Sequence, residues 1–236
     1  MRKLIVGLAV AGLITLPIPV AWAQEGGVEE VIVTASRISE YDATETPHVV
    51  LRKRADNLLV LVNVVCDTRD ASQRRAELKA TLRNLIAAAA KDPGIELGLG
   101  EEVVGKIDET MIDSLIGPAG RPDTSQVSLL IKTRIVPTDT LDGASKRIDD
   151  FIAKVAKAGR TEVLATSNVN LSLVQPEQYR DEIIALVARD SLKSAGAFGS
   201  DYGVTVNNLQ LPISWYQSAP LELALYIPYR MEVRPK

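Results

Sequence analysis

The stretch LLVLVNVVC, Leu58 to Cys66, is almost wholly apolar and rich in valine, and it reads as a buried strand. The period then changes at once. Asp70 stands where a helix N-cap belongs, and Gln73 three residues later completes a capping box. Leu78, Leu82, Leu85, Ile86 and Ala89 follow at spacings of three and four, leaving Arg74, Arg75, Lys79 and Arg83 largely off that stripe. Pro93-Gly94 closes the segment. A strand followed by a helix laid on a sheet is the unit this pattern dictates.

The same alternation continues along the chain. His48 to Leu51 and Leu58 to Cys66 are expected as two strands joined by a charged turn carrying Arg52, Lys53 and Arg54. GIELGLG from Gly94 and SQVSLLIKTRIV from Ser125 read as strands, with a short amphipathic piece around Met111, Ile112 and Leu115 between them. Leu141, Ile148, Phe151, Ile152 and Val155 mark a second helix, for which Gly159 is the expected stop. RTEVLATSNVNLSLV reads as a long strand, and Pro176 opens a third helix reaching about Gly199, with Ser191, Ala195 and Gly199 at every fourth position. VTVNNLQLPIS and LELALYIPYRMEV close the chain as strands, with Pro228 marking an edge or a bulge. The order is β-β-α-β-β-α-β-α-β-β, which predicts an α+β fold of three main helices on largely antiparallel sheets.

The opening MRKLIVGLAVAGLITLPIPVAWAQ places Arg2 and Lys3 before an apolar run and Ala21-Trp22-Ala23 before Gln24, the pattern of a cleaved secretory signal over residues 1–23. Residues 24–46 then form an extended tail whose SEYDATETP segment, Ser39 to Pro47, reads as a linker, and residues 47–236 form the domain. The expected location is the periplasm, outer-membrane associated or secreted being the alternatives, with no transmembrane span left after cleavage. The mature chain carries 25 basic and 30 acidic residues, a balance with no field for nucleic acid. Cys66 is the only cysteine, so no intrachain disulfide forms, and its place in an apolar run marks it as a small buried hydrophobe.

Catalytic chemistry finds few parts here. His48 is the only histidine, which starves Ser-His-Asp and Cys-His arrangements and histidine or cysteine metal sites alike. Asp108, Glu109 and Asp113 lack EF-hand spacing. GLGEEVVG, Gly98 to Gly105, departs from a phosphate loop in spacing and sets Glu101 and Glu102 where an anion would bind. Asp149 and Asp150 read as the solvated side of a helix. The expectation is a protein that is not an enzyme and needs no cofactor, a periplasmic hydrolase with carboxylate chemistry being the rival.

From about Pro47 to Val233 the chain resembles the SIMPL domain family of exported proteins. The likeness lies in the order of elements, in DSLKSAGAFGSDYGV, where Asp190, Ser191, Ala195 and Gly203 fall on the expected positions, and in the closing strand APLELALYIPYRMEV. Gly199 stands where the family more often has alanine. The resemblance implies a periplasmic or surface-exposed α+β protein that assembles as a homo-oligomer, in some members linked to envelope or oxidative stress. It carries over no catalytic residue.

A second likeness concerns the tail. EEVIVTASR, Glu29 to Arg37, resembles the TonB box of outer-membrane transporters, an extended peptide that adds a strand to TonB. Glu30, Val31, Ile32, Val33, Thr34 and Ala35 are the candidate partner-binding residues, with Val31, Val33 and Ala35 on one face and Ile32 and Thr34 on the other. A mature chain of 213 residues cannot supply a plug and a transporter barrel, so an accessory or regulatory module of an uptake system is the function this likeness implies. The other explanation is a β-prone segment that pairs within its own fold or oligomer.

Overall fold

A computed structural model describes residues 30–33, 48–100 and 105–236. The expected signal segment and the linker Ser39 to Pro47 lie outside the described residues. The architecture is α+β: twelve strands and four α-helices among the described residues, with every strand pairing antiparallel.

The strands are β1 (Glu30–Val33), β2 (Leu51–Arg54), β3 (Asn57–Cys66), β4 (Ile95–Leu99), β5 (Gly105–Lys106), β6 (Gly117–Pro118), β7 (Ser125–Arg134), β8 (Thr161–Val174), β9 (Tyr202–Asn207), β10 (Ser214–Ala219), β11 (Glu222–Tyr226) and β12 (Arg230–Pro235). The helices are α1 (Ala71–Ala89), α2 (Ile112–Leu115), α3 (Leu141–Lys154) and α4 (Arg180–Gly196). The main sheet runs β1-β8-β3-β7-β4-β5, with β6 also on β7; β10-β11-β2 and β12-β9 form two smaller sheets.

β3 organises the main sheet because it is paired along its length on both sides. Asn57 to Cys66 run against Arg134 to Ser125 on one flank and against Ser172 to Thr161 on the other. Alternation then sends Leu58, Val60, Val62, Val64 and Cys66 to the face that meets α1 and α3, where they join Leu78, Leu82, Leu85, Ile148 and Phe151 in the core. Leu59 and Leu130 form a separate small cluster. Against β3, β8 carries a bulge: Val60 faces Val169 while Val62 faces Ala165, so the interval is longer on β8.

The first helix is built as its sequence dictates. Asp70 caps it by accepting from Gln73 N–H at 2.7 Å, but the Gln73 side chain donates to Glu77 Oε1 at 2.9 Å instead of closing the box. α3 begins at Thr140, whose hydroxyl accepts from Gly143 N–H. Pro176 opens a 3-10 turn, Pro176–Tyr179, before α4 starts at Arg180. On α4, Ser191 and Ala195 are buried, and the helix packs on β9, β12 and β2.

Three expectations need correction. Arg52, Lys53 and Arg54 belong to β2 itself, and the turn before β3 is Ala55-Asp56. β2 pairs with β11, not with β3, because Ala55 N–H donates to Leu221 O while Asp56 N–H donates to Ser172 O, splitting the two strands between sheets. The closing LELALYIPYRMEV is two strands: β11 ends at Tyr226, β12 starts at Arg230, and they join different sheets on either side of Pro228. Gly159 is not the stop of α3, which ends at Lys154 with Val155 extended as its C-cap.

Candidate partner-binding site

At the end of β8, Leu171, Ser172 and Leu173 are all buried, and the two leucines join the core. The last residues of β8 are then held from one side by the start of β3. Asn57 Nδ2 donates to the buried Ser172 Oγ at 3.1 Å, and the Asp56 carboxylate accepts from Val174 N–H at 2.8 Å. These bonds leave the other edge of β8 facing outward as a row of backbone donors and acceptors.

β1 fills that row. Glu30, Val31, Ile32 and Val33 pair antiparallel with Val174, Leu173, Ser172 and Leu171 in turn. Four of the six candidate partner-binding residues are therefore an edge strand of the main sheet, and Thr34 and Ala35 lie outside the described residues. Of the two explanations for EEVIVTASR, pairing within its own fold is the one that this geometry displays. Asp56 and Asn57 belong to the site as well, and their part in fixing the far side of β8 is not a signal that sequence alone carries. In sequence they read as the end of the charged turn that begins at Arg52.

A second polar constellation lies at the opposite end of β8. Glu77, projecting from α1, accepts from Thr68 Oγ1 at 2.6 Å, Cys66 Sγ at 3.2 Å, Arg160 N–H at 3.1 Å and Gln73 Nε2 at 2.9 Å. The Thr68 bond, the Arg160 N–H and the Cys66 thiol, in that order, hold the Glu77 carboxyl down at about 2. Gly159 adopts φ +55°, and a Cβ there would fall within the Glu77 carboxylate, closer than side-chain carbons approach. That close approach explains the glycine. Cys66 is fully buried and spends its S–H on this carboxylate.

Beside this cluster Arg160 makes a bidentate pair with Asp67 at 2.7 and 2.8 Å, with Asp67 held below the usual carboxylate range by those bonds. Three shallow clefts of about 640, 490 and 450 Å³ meet there, and Arg121 lines all of them. Arg69, Arg74 and Arg75 border them too, but Arg74 is spent on Ser125 Oγ and Thr68 O, and Arg75 on Asp113. Asp67, Asp123 and Glu162 interleave with the cations, so the rim is mixed in sign.

The single histidine is an exposed ring whose Nε2 lies 3.0 Å from Asp190 Oδ2 at the side of α4. Ser191, the next residue, is buried, and its hydroxyl has no hydrogen-bond partner among the described residues. Among the described residues no group of three or more His, Cys, Asp or Glu could hold a metal ion, and no helix is long and apolar enough to cross a membrane. Comparison of the chain with protein-family models, with curated proteins and with solved structures finds no match.

Proposed function

We propose that this chain is a non-enzymatic exported protein of the SIMPL type that works in the cell envelope through protein contacts and assembly of several copies. The observation that carries the reading is the in-register backbone pairing of Glu30–Val33 with the edge of β8. Strand addition is a mode of contact between proteins, and here it employs the segment whose sequence suits it. The packing of α4 through Ser191 and Ala195 supports the SIMPL likeness, since these are the small positions on which that likeness rests.

The test uses a chain starting at Pro47 and a labelled peptide, EEVIVTASR. Saturable binding of the peptide to the shortened chain, with protection of the β8 amides of Leu171 and Leu173 on hydrogen exchange, is the expected result. No binding, together with a monomeric mature chain at micromolar concentration, sinks the reading.

A second reading keeps the segment as a contact for TonB, in an accessory or regulatory role beside an uptake system. It is favoured by the strand conformation of Glu30–Val33, which is the form a strand-adding partner receives. On this reading the segment exchanges between β8 and TonB. An NMR titration of labelled TonB carboxy-terminal domain with the chain from Gln24 and the chain from Pro47 decides it: shifts with the longer form alone are required, and equal spectra remove TonB from the account.

A further inference from the structure

We propose that the solvent face of α4 is a docking surface for a second copy of this chain, the two helices packing antiparallel about a two-fold axis. The inference rests on the assembly reading above and names its interface. Ile183, Val187, Ser191 and Ala195 are the buried stripe of α4, which leaves the opposite stripe of Ala185, Ala188, Leu192 and Gly196 exposed. Asp181 continues that stripe toward the helix start and Arg189 flanks it, so only the part from Ala185 to Gly196 is itself uncharged. Leu192 is 69% exposed and Phe198, just beyond the helix, 64%, with the Tyr202 ring 5.8 Å from that of Phe198. Large apolar side chains so placed are what monomeric surfaces avoid in clusters.

The charges around the stripe select the occupant. Asp181 and Glu182 stand in the first turn of α4 and Lys193 in the last, so the surface is acidic at one end and basic at the other. An antiparallel copy reverses that order and brings unlike ends together, with the two helix dipoles opposed. With the axis between Ala188 and Arg189, Ala185 lies opposite the partner copy's residue 192 and Glu182 beside the partner copy's residue 193. Glu182 and Lys193 are eleven residues apart, close to three full turns, so they share one flank, and like flanks meet in an antiparallel two-fold pair. Glu182 already touches Lys53 Nζ at 3.0 Å but stays half exposed, free to accept a second cation. Small residues at 185, 188 and 196 allow close axes, and Leu192 supplies the knob.

Sedimentation velocity over a concentration series tests this on the chain from Gln24. A reversible self-association is expected, weakened at least tenfold by Leu192→Glu and by Lys193→Glu, and restored when Glu182→Lys is combined with Lys193→Glu. Both singly altered positions are exposed, and circular dichroism checks that the variants fold. Oxidation of an Ala185→Cys, Leu192→Cys chain adds a positional readout. Seven residues along one helix place the two thiols on the order of 10 Å apart, beyond disulfide reach within a chain, so a bridge between these sites has to be intermolecular; Cys66 is buried and does not compete. A multimer indifferent to Leu192→Glu and without the 185–192 bridge overturns the α4 interface while leaving the assembly reading standing. A chain that is monomeric throughout overturns both.

Discussion

Asp139→Asn is the most informative single change in the scaffold. The Asp139 side chain is 10% exposed and accepts both Arg147 N–H groups at 2.7 Å and Val136 N–H at 2.8 Å. Arg147 also bonds Thr133 Oγ1 and Arg134 O, so the carboxylate ties α3 to the end of β7, while Arg54 of β2 donates to the Asp139 backbone carbonyl. The Arg147 hydrogen bonds hold the Asp139 carboxyl at about 2, below its ordinary 3.8, with burial opposing and Val136 N–H assisting. At ~1.4 kcal/mol per pH unit that depression corresponds to ~2.5 kcal/mol at neutral pH. Arg147 is 38% exposed, so solvent screens part of it and about 2 kcal/mol is the expected loss on removing the charge. The sign follows from the direction of the shift: the contribution is full above pH 3.8 and disappears as pH falls through about 2. Urea unfolding of the wild type and Asp139→Asn should therefore differ by about 2 kcal/mol at pH 7, with a gap that narrows below about pH 4. A gap under about 0.5 kcal/mol, or one that does not change between pH 7 and pH 3, refutes the assignment of the stabilisation to this charge pair.

Gly159→Ala should cost about 1 kcal/mol from its left-handed backbone alone, and more because the new Cβ displaces Glu77; thermal melts should show only the backbone cost once Glu77→Ala is present. Thr81 is fully buried in α1 and accepts Ala158 N–H at 2.9 Å, so Thr81→Val should destabilise by about 1–3 kcal/mol and Thr81→Ser by less, measured by urea unfolding. Glu77→Gln should lower stability at pH 7, and because the Glu77 carboxyl is held at about 2, its deficit against wild type should close as pH falls from about 4.5 toward 2. Leu225→Ala, at a fully buried position of β11, should cost about 2–5 kcal/mol in the same assay, and a loss below about 1 would deny the small sheet its share of the core.

What the sequence made legible were features set by neighbours in the chain. Asp70 caps its helix because an acceptor before an apolar period serves whatever the tertiary context. Leu221, Leu223, Leu225 and Ile227 alternate and are all buried. The misplacements came from contacts between distant residues. Arg52 to Arg54 read as a turn because of their charge, yet Arg52 lies 3.8 Å from Glu222 and Lys53 3.0 Å from Glu182, partners far along the chain that make a basic strand tolerable. Gly159 read as a helix stop because glycines end helices; its use here is to admit a carboxylate from α1, and nothing local to it announces Glu77. The candidate segment was legible as a strand in search of an edge, while the edge itself required Asp56 and Asn57 to fix β8 from the far side.

The likeness of EEVIVTASR to a docking peptide and its place on β8 have one physical origin. An extended, β-branched run offers the same backbone ladder to any open sheet edge, and sequence alone does not rank the edges. The ranking comes from tethering. Fourteen residues lie between Val33 and His48, and a tether of such length gives an effective concentration on the order of millimolar. A peptide that binds the shortened chain with a Kd of about 1 mM would then dock in cis about half of the time, leaving the strand open to exchange. A Kd of about 10 μM would hold it in place about 99% of the time and raise the apparent Kd for any strand-accepting partner about a hundredfold. The affinity of the free peptide for the chain from Pro47 thus separates a strand that completes the sheet from one that is lent to a partner.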